Sequence, residues 1–371
     1  MKPKVAIACQ GGGSQTAFTA GVMKALFENK MQDHFDIVSL SGTSGGAICA
    51  LLIWYALKKG ENPVWKRLLD FWLDNSAQTY QERFFNDFVI RSLELTSKGI
   101  VPQYSVTPYS PLAQTWLASA TQGLRSRFTN LEELLQAHAD FSELETWGKQ
   151  LEPPVLLIGA CNILTGKLDK FNSRQEAIRI EHLLASACVP NIFPTVVIEE
   201  EGEKKAYWDG LFSDNPPIRS LYRQDFVGTE NIPQEIWVIK INPTQTDKIP
   251  TDADDIADRR NELEGNVSLF QSLDQIEFLN YLFIKGAFKE EFLQEVGIKE
   301  PLKIPKSFPE DPDQTYHIPA IEMSPELAKS LNYENKLDRC PENINRLIAD
   351  GEKQGKKFIQ TRLQQMGIHG L

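Results

Sequence analysis

Two glycine-rich turns, each set between an apolar run and a stretch of helical spacing, lie within the first 60 residues. The first joins "VAIAC" through Gly11, Gly12 and Gly13 to "SQTAFTAGVMKALFENK"; the second joins "FDIVSLSG" through "GTSGG" to "AICALLIWYALKKG". A short apolar run, a turn and then helical periodicity read as strand, turn and helix. Two such units in immediate succession restrict the chain to an α/β sheet with parallel neighbours. In sheets of that kind the functional loops gather at the carboxyl ends of the strands, so both glycine turns belong at one edge.

Residues 61–150 change character. Trp65, Phe71, Trp72, Tyr80, Phe84, Phe85, Phe88, Tyr104, Tyr109 and Trp116 are interleaved with charges and broken by the loop "VPQYSVTPYSP". This is the pattern of an inserted, mostly helical layer. Strand patterns return at "PPVLLIGACN" and "KLDKFNS", followed by a helix near "RIEHLLASA" and a proline-bounded turn, "CVPNIFPTV". The segments "VVIEE", "KAYWDG" and "EIWVIKIN" come next. Beyond "DADD" helical spacing runs to about residue 297, then come a proline-rich stretch, a strand at "TYHIPAIEM" and a last helix from about Asn343 to Met366. The expected organisation is an α/β core over 1–245, with 61–150 as a helical cap, and a helical carboxyl-terminal extension over 246–371 packed on that core.

Composition narrows the function. A chain of 371 residues, 42% apolar and 24% charged, can bury a sizeable core. Its 39 basic and 50 acidic residues leave a net charge of −11, which repels a phosphate backbone and argues against a nucleic-acid partner. Cys9, Cys49, Cys161, Cys188 and Cys340 are scattered and show neither a C-x-x-C pair nor zinc spacing, so reduced thiols and no metal are expected. The first residues are too poor in apolar side chains for a secretory signal, and no window reaches membrane-spanning length. A soluble, cytoplasmic chain without cofactor is expected, with any membrane contact peripheral.

The pentapeptide Gly42-Thr43-Ser44-Gly45-Gly46 has the form G-x-S-x-G. Its glycines let the chain turn sharply from strand to helix, leaving a serine hydroxyl exposed at the strand's end and at the amino terminus of the next helix. Unpaired N–H groups and the positive end of the helix dipole there favour an oxyanion formed during acyl transfer. The same pentapeptide can also be a plain turn that needs small residues. Gly11, Gly12 and Gly13 fit a phosphate cradle poorly, because no Gly-Lys-Ser/Thr follows and the G-x-G-x-x-G spacing fails at Thr16. An oxyanion loop facing Ser44 from the neighbouring strand is the better use.

A serine hydroxyl needs a base within reach. None of His34, His138, His182, His317 and His369 sits in a glycine-bounded turn after a strand. Asp209, in "AYWDGLFSDNPPI", closes a short strand ahead of Gly210; Asp-Gly is also a common turn. A carboxylate serves as base if burial beside apolar groups such as Trp208 raises its pKa toward neutrality.

Taken together and in order, "QGGGSQTAFTAGV", "GTSGG", "ASACVPNIFPTVVI" and "YWDGLFSDNPP" resemble the four blocks of the patatin-like phospholipase family, from about Lys4 to Asn242. The later "RRNELEGNVSLFQSLDQI" resembles, more weakly, the extension of a bacterial branch. The resemblance implies a patatin-like, mostly parallel sheet flanked by helices and a lipid acyl-ester hydrolase of phospholipase A or lysophospholipase type. It makes Ser44 the nucleophile, Asp209 the base of a histidine-free dyad, and Gly11, Gly12 and Gly13 the oxyanion loop. Its partner would be a lipid or other acyl ester; no cofactor or metal is implied. The chain departs from the family's pattern at Gln15 and Thr16, where a basic residue and then glycine are usual, and at Leu211 after Asp-Gly.

Three other readings stay open at this stage. An α/β-hydrolase would use a Ser, Asp, His triad with His317 or His369, although Ser44 follows only the second strand. A lipid or acyl-chain binder would keep the fold without the chemistry. A nucleotide-binding α/β protein would use the glycine loop for phosphate.

Overall fold

The first apolar run becomes strand β1 (Lys4–Cys9). Its side chains alternate between two cores, with Val5, Ile7 and Cys9 in one and Ala6 and Ala8 in the other. A strand that feeds two cores must be covered on both faces, which is the condition of a layered α/β sheet. The computed structural model describes residues 2–101, 107–190, 192–200, 202–247, 249–306 and 317–368. Tyr104, Asn191, Thr315, Tyr316 and His369, which enter the sequence reading, lie outside them.

The other strands are β2 (Asp36–Thr43), β3 (Val155–Asn162), β4 (Lys167–Asn172), β5 (Val196–Glu200), β6 (Glu203–Asp209), β7 (Glu235–Lys240) and β8 (Ile321–Glu322). They are ordered β5, β6, β3, β2, β1, β7, β8, and β4 also pairs with β3. From β3 to β8 this order is parallel, whereas β3 with β4, β3 with β6, and β5 with β6 are antiparallel. The sheet is mixed and mostly parallel, as expected.

One detail of register positions the site. Residues 157–159 of β3 pair with both β2 and β4, and residues 160–162 pair with both β4 and β6. A strand has only two edges, so β2 and β6 share one edge of β3. They meet end to end there: Thr43 pairs with Gly159, and Asp209 with the next residue, Ala160.

Helices cover both faces: α1 (Ala17–Glu28), α2 (Gly45–Lys58), α3 (Lys66–Asn75), α4 (Tyr80–Ser97), α5 (Pro111–Ala120), α6 (Ile180–Ser186), α7 (Ala253–Ile284) and α8 (Pro341–Gln365), with shorter helices between them. Residues 45–56 of α2 are all buried, as befits a helix that is apolar all round. The described part of the 61–150 stretch is mostly helical. Its aromatics divide: Phe71 and Trp72 are in the core, while Tyr80 (81%), Phe84 (66%), Tyr109 and Trp116 are exposed.

The carboxyl-terminal helix α8 lies directly on α1. Gly351 and Gly21 make the approach possible: a Cβ on Gly351 would stand 2.1 Å from Phe18 O, and one on Gly21 1.9 Å from Ile348 O. Buried Arg362 of α8 also donates to Glu235 at the start of β7, at 2.6 Å. Two expectations change in detail. The helical run to residue 297 is divided, because Gly286 with φ 69° ends α7 before Glu290–Val296 begins. Of the strand expected at "TYHIPAIEM", the described residues from His317 on keep an isolated bridge at His317 and β8, interrupted at Pro319, which has no N–H to give a ladder. Among the described residues no helix is long and apolar enough to cross a membrane.

Candidate active site

Ser44 stands between β2 and α2 with φ 55° and ψ −130°, one of two non-glycine residues described with positive φ. It occupies the N-cap position of α2, yet its hydroxyl makes no capping bond. A serine kept merely for its propensity to cap would have extended φ and would accept from the first turn. Here the backbone is strained and the hydroxyl caps nothing, and such strain requires the surroundings to enforce it. They do so closely: a Cβ at Gly46 would meet Cys9 O at 2.3 Å, and one at Gly42 would meet Gly46 O at 2.3 Å. The Ser44 N–H donates to Ser186 Oγ at 2.9 Å, and Ser186 Oγ donates to Gly159 O at 2.7 Å. The end of α6 thus clamps the joint between β2 and β6.

Asp209 arrives from the other side of that joint, 1% exposed. Its N–H donates to Cys188 O at 2.8 Å, and its Oδ1 accepts from the Leu211 N–H at 2.8 Å. Its Oδ2 is buried without a hydrogen bond of full geometry among the described residues. Burial raises the Asp209 pKa to about 6, while the Leu211 N–H, the Ser44 hydroxyl and the charge of Lys336 pull it down. The Ser44 hydroxyl is therefore near enough to the carboxylate to favour its ionised form. The apolar environment does not come from Trp208. Neighbours on a strand point to opposite faces, and the Trp208 indole donates to Thr195 Oγ1 at 3.1 Å and packs on Phe212.

The glycine loop lies against Ser44. A Cβ on Gly11 would meet Thr43 O at 2.6 Å and Ser44 Cβ at 3.0 Å, so only glycine allows this approach. Its N–H donates to Asn215 Oδ1 at 2.7 Å. The N–H groups of Gly12 and Gly13 meet no acceptor among the described residues. Gln10, fully buried, anchors the loop by accepting from the Ile241 and Asn242 N–H groups and donating to Gly265 O and Asn266 Oδ1. Asn215 repeats that anchoring, with its N–H on Ser268 Oγ at 2.9 Å. Both anchors reach α7.

The described histidines stand elsewhere. His182 is stacked on Phe171 at 4.0 Å, and burial lowers its pKa to about 3. His317 lies 2.9 Å from Glu277, His138 pairs with Asp74, and none of the four described histidines has a contact with Ser44 or Asp209. Among the described residues one group, Glu176, His182 and Glu200, is close enough to share a metal ion. Arg179 is already bound there, donating to Glu200 and to the His182 ring. A cleft of about 1060 Å³ opens at the carboxyl ends of β7 and β8, lined by Ile241, Met323 and Leu331 among others. Neither Ser44 nor Asp209 lines it, so this open volume is separate from the catalytic candidates.

The structure brings together Ser44, Asp209 and the glycine loop, which the sequence singled out, and sets near them Ser186, Asn215, Gln10 and Lys336, which sequence reasoning did not single out. Ser186 and Asn215 fall within quoted blocks, where their type alone carried no signal. Lys336 lies in a polar stretch with no motif.

The family model described as patatin-like phospholipase matches residues 7–222, more than half of the chain. No curated protein matches. Among solved structures the chain is similar to VipD from Legionella pneumophila, with 12% identity and a TM-score of 0.36, covering 97% of this chain and 67% of that one. It is also similar to full-length ExoU, solved with SpcU from the type III secretion system of Pseudomonas aeruginosa, with 18% identity and a TM-score of 0.24. That match covers 52% of this chain and 39% of the other. A second structure of the type III effector ExoU gives 17% identity, a TM-score of 0.21, and coverage of 79% and 59%.

Proposed function

The chain belongs to the patatin-like phospholipase family, and on that premise we propose that it is a lipid acyl-ester hydrolase working through Ser44 and Asp209. The observation that carries this reading is the strained, uncapping Ser44 placed end to end with a buried carboxylate whose pKa is raised to about 6. A base needs a pKa near the working pH, and a nucleophile needs its hydroxyl free of other bonds.

In this mechanism Asp209 takes the Ser44 proton as Oγ attacks the ester carbonyl. The tetrahedral oxyanion accepts from the Gly12 and Gly13 N–H groups, which meet no other acceptor among the described residues. Gly11 keeps its N–H on Asn215 and contributes close approach rather than a donor. Collapse expels the alcohol, which leaves with the proton from Asp209, and gives an acyl-Ser44. Asp209 then activates water, which releases the fatty acid and restores the serine.

The exposed aromatics of the cap form the apolar side of this proposal. Tyr109 accepts from the Thr195 N–H at 2.7 Å, linking the cap to the loop that precedes β5. That surface suits long acyl chains and peripheral contact with a lipid aggregate. Hydrolysis of a lipid panel by wild type, Ser44→Ala and Asp209→Asn tests the reading. Activity is expected in the wild type alone; activity that survives Ser44→Ala sinks it, and an inactive wild type that no fluorophosphonate labels favours a binder.

A further inference from the structure

One turn of α7, residues 265–268 within "RRNELEGNVSLFQSLDQI", has no part in the mechanism above and lies beyond residue 222, where the match to the family ends. Yet two side chains that hold the glycine loop converge on it. Gln10, the residue before Gly11, donates through Nε2 to Gly265 O and to Asn266 Oδ1, both at 3.0 Å. Asn215, whose Oδ1 accepts the Gly11 N–H at 2.7 Å, donates through its own N–H to Ser268 Oγ at 2.9 Å and through Nδ2 to Gly265 O at 3.4 Å. The carbonyl of Gly265 thus receives both amides.

The same groups reach the end of β7. Gln10 Oε1 accepts from the Ile241 and Asn242 N–H groups at 2.7 and 2.9 Å, and Asn266 Nδ2 donates to Pro243 O at 2.9 Å. Gly12 rests on Ile241, whose Cγ2 stands 2.6 Å from where a Cβ on Gly12 would be. The glycine loop, the end of β7 and this turn of α7 therefore form one hydrogen-bonded block. Gln10, Asn215 and Asn266 are each no more than 2% exposed. Burying three amides is unfavourable unless each is paired, and a fully paired network holds its members in one arrangement.

We propose that Asn266 and Ser268 are positioning residues of the acyl-transfer site: through Gln10 and Asn215 they set where the Gly12 and Gly13 N–H groups stand relative to Ser44. This inference rests on the Ser44 and Asp209 reading, with the glycine loop as oxyanion donor. Oxyanion donors act on the transition state more than on the bound ester, and they must stand at hydrogen-bond distance from the place the oxyanion will take. Loosening the turn therefore slows the chemistry and leaves substrate binding as it is.

The test is steady-state hydrolysis of a short-chain ester by the full chain, comparing wild type, Ser268→Ala, Asn266→Ala, Ser268→Thr and, on the exposed side of the same turn, Val267→Ala. Ser268→Ala and Asn266→Ala are each expected to lower kcat by about tenfold to a hundredfold with KM unchanged, the size of a small misplacement and less than the loss of a donor outright. A trifluoromethyl ketone reads the same geometry: Ser44 Oγ adds to the ketone carbon, its proton passes to Asp209, and the oxyanion faces Gly12 and Gly13. Its inhibition should weaken by the same factor as kcat. Ser268→Thr keeps the hydroxyl and is expected to restore kcat, and Val267→Ala to leave it alone.

A wild-type kcat in either alanine variant that folds overturns the inference, as does a loss that falls on KM instead. So does a folded threonine variant as slow as the alanine one, or a Val267→Ala as slow as either. Loss of folding in both alanine variants would make the turn a structural support only and also overturns it. If Ser44→Ala retains activity, the Ser44 and Asp209 reading fails and this inference falls with it; an inactive Ser44→Ala beside a full-speed Ser268→Ala removes only the role of α7.

Discussion

Thr43 and Asp209 pair with consecutive residues of one strand, Gly159 and Ala160. Two strands that run toward each other along a shared edge have to stop where they meet, and the side chains at their ends are then brought together by the ladder itself. Ser44 follows Thr43 at this joint, so the backbone register, not a flexible loop, sets its distance from Asp209.

Ser44→Ala is expected to reduce ester hydrolysis by at least about a thousandfold, the usual cost of removing a nucleophile. Ser44→Gly is expected to be equally inactive but more stable by about 1 kcal/mol, because glycine relieves a φ of 55°. Chemical denaturation of both variants decides this, and a glycine variant less stable than the alanine one would contradict it.

Asp209 must be ionised to act as base, so kcat/KM should rise with pH through a limb near 6. A limb near 4 in a short-chain ester assay would mean that the carboxylate is solvated, and no limb at all would mean that another group is the base.

The same burial costs stability. The Asp209 pKa is raised from 3.8 unfolded to about 6 folded. Below 3.8 both states hold the proton. Between 3.8 and 6 the unfolded chain releases it first, so stability falls as pH rises, and above 6 the whole cost is present. That displacement corresponds to about 3 kcal/mol. Asp209→Asn keeps the acceptor for the Leu211 N–H and should therefore be more stable than wild type at pH 8, by up to about that amount. The difference should vanish below the unfolded pKa. Equal melting temperatures at pH 8 would refute the claim.

His317→Ala should retain activity, because His317 lies beside Glu277 rather than by Asp209. A loss of about three orders of magnitude would restore the triad reading.

The parts of the site that could be read in advance were those carried by local pattern. The two strand, turn and helix units at the start, and "GTSGG" with "YWDG", announce their turns through glycine, and turn chemistry is a short-range property. Trp208 misled because proximity in sequence was taken for proximity in space; on a strand adjacent side chains diverge. The meeting of β2 and β6 on β3 was not legible at all, since a strand that precedes the 61–150 stretch must join two that follow it before the meeting exists. Lys336 and Asn215 were invisible for the same reason: a lysine in a polar stretch and an asparagine before proline look ordinary until the sheet closes. Residue 15 was read as a loss of charge beside the glycines. The fold brings Lys336 against Gly13, beside the pocket that Gln15 also lines.

The stretch that matches the family ends at residue 222, ahead of β7. Yet β7 lies between β1 and β8, and α8 covers α1 through glycines that leave no room for water. A protein cut at the end of the match would expose the bare edge of β1 and the uncovered face of α1 at once. An open edge of that kind invites a second copy to dock on it, so such a fragment would precipitate rather than report on catalysis. The unit that can be excised and expressed is therefore longer than the unit that can be recognised.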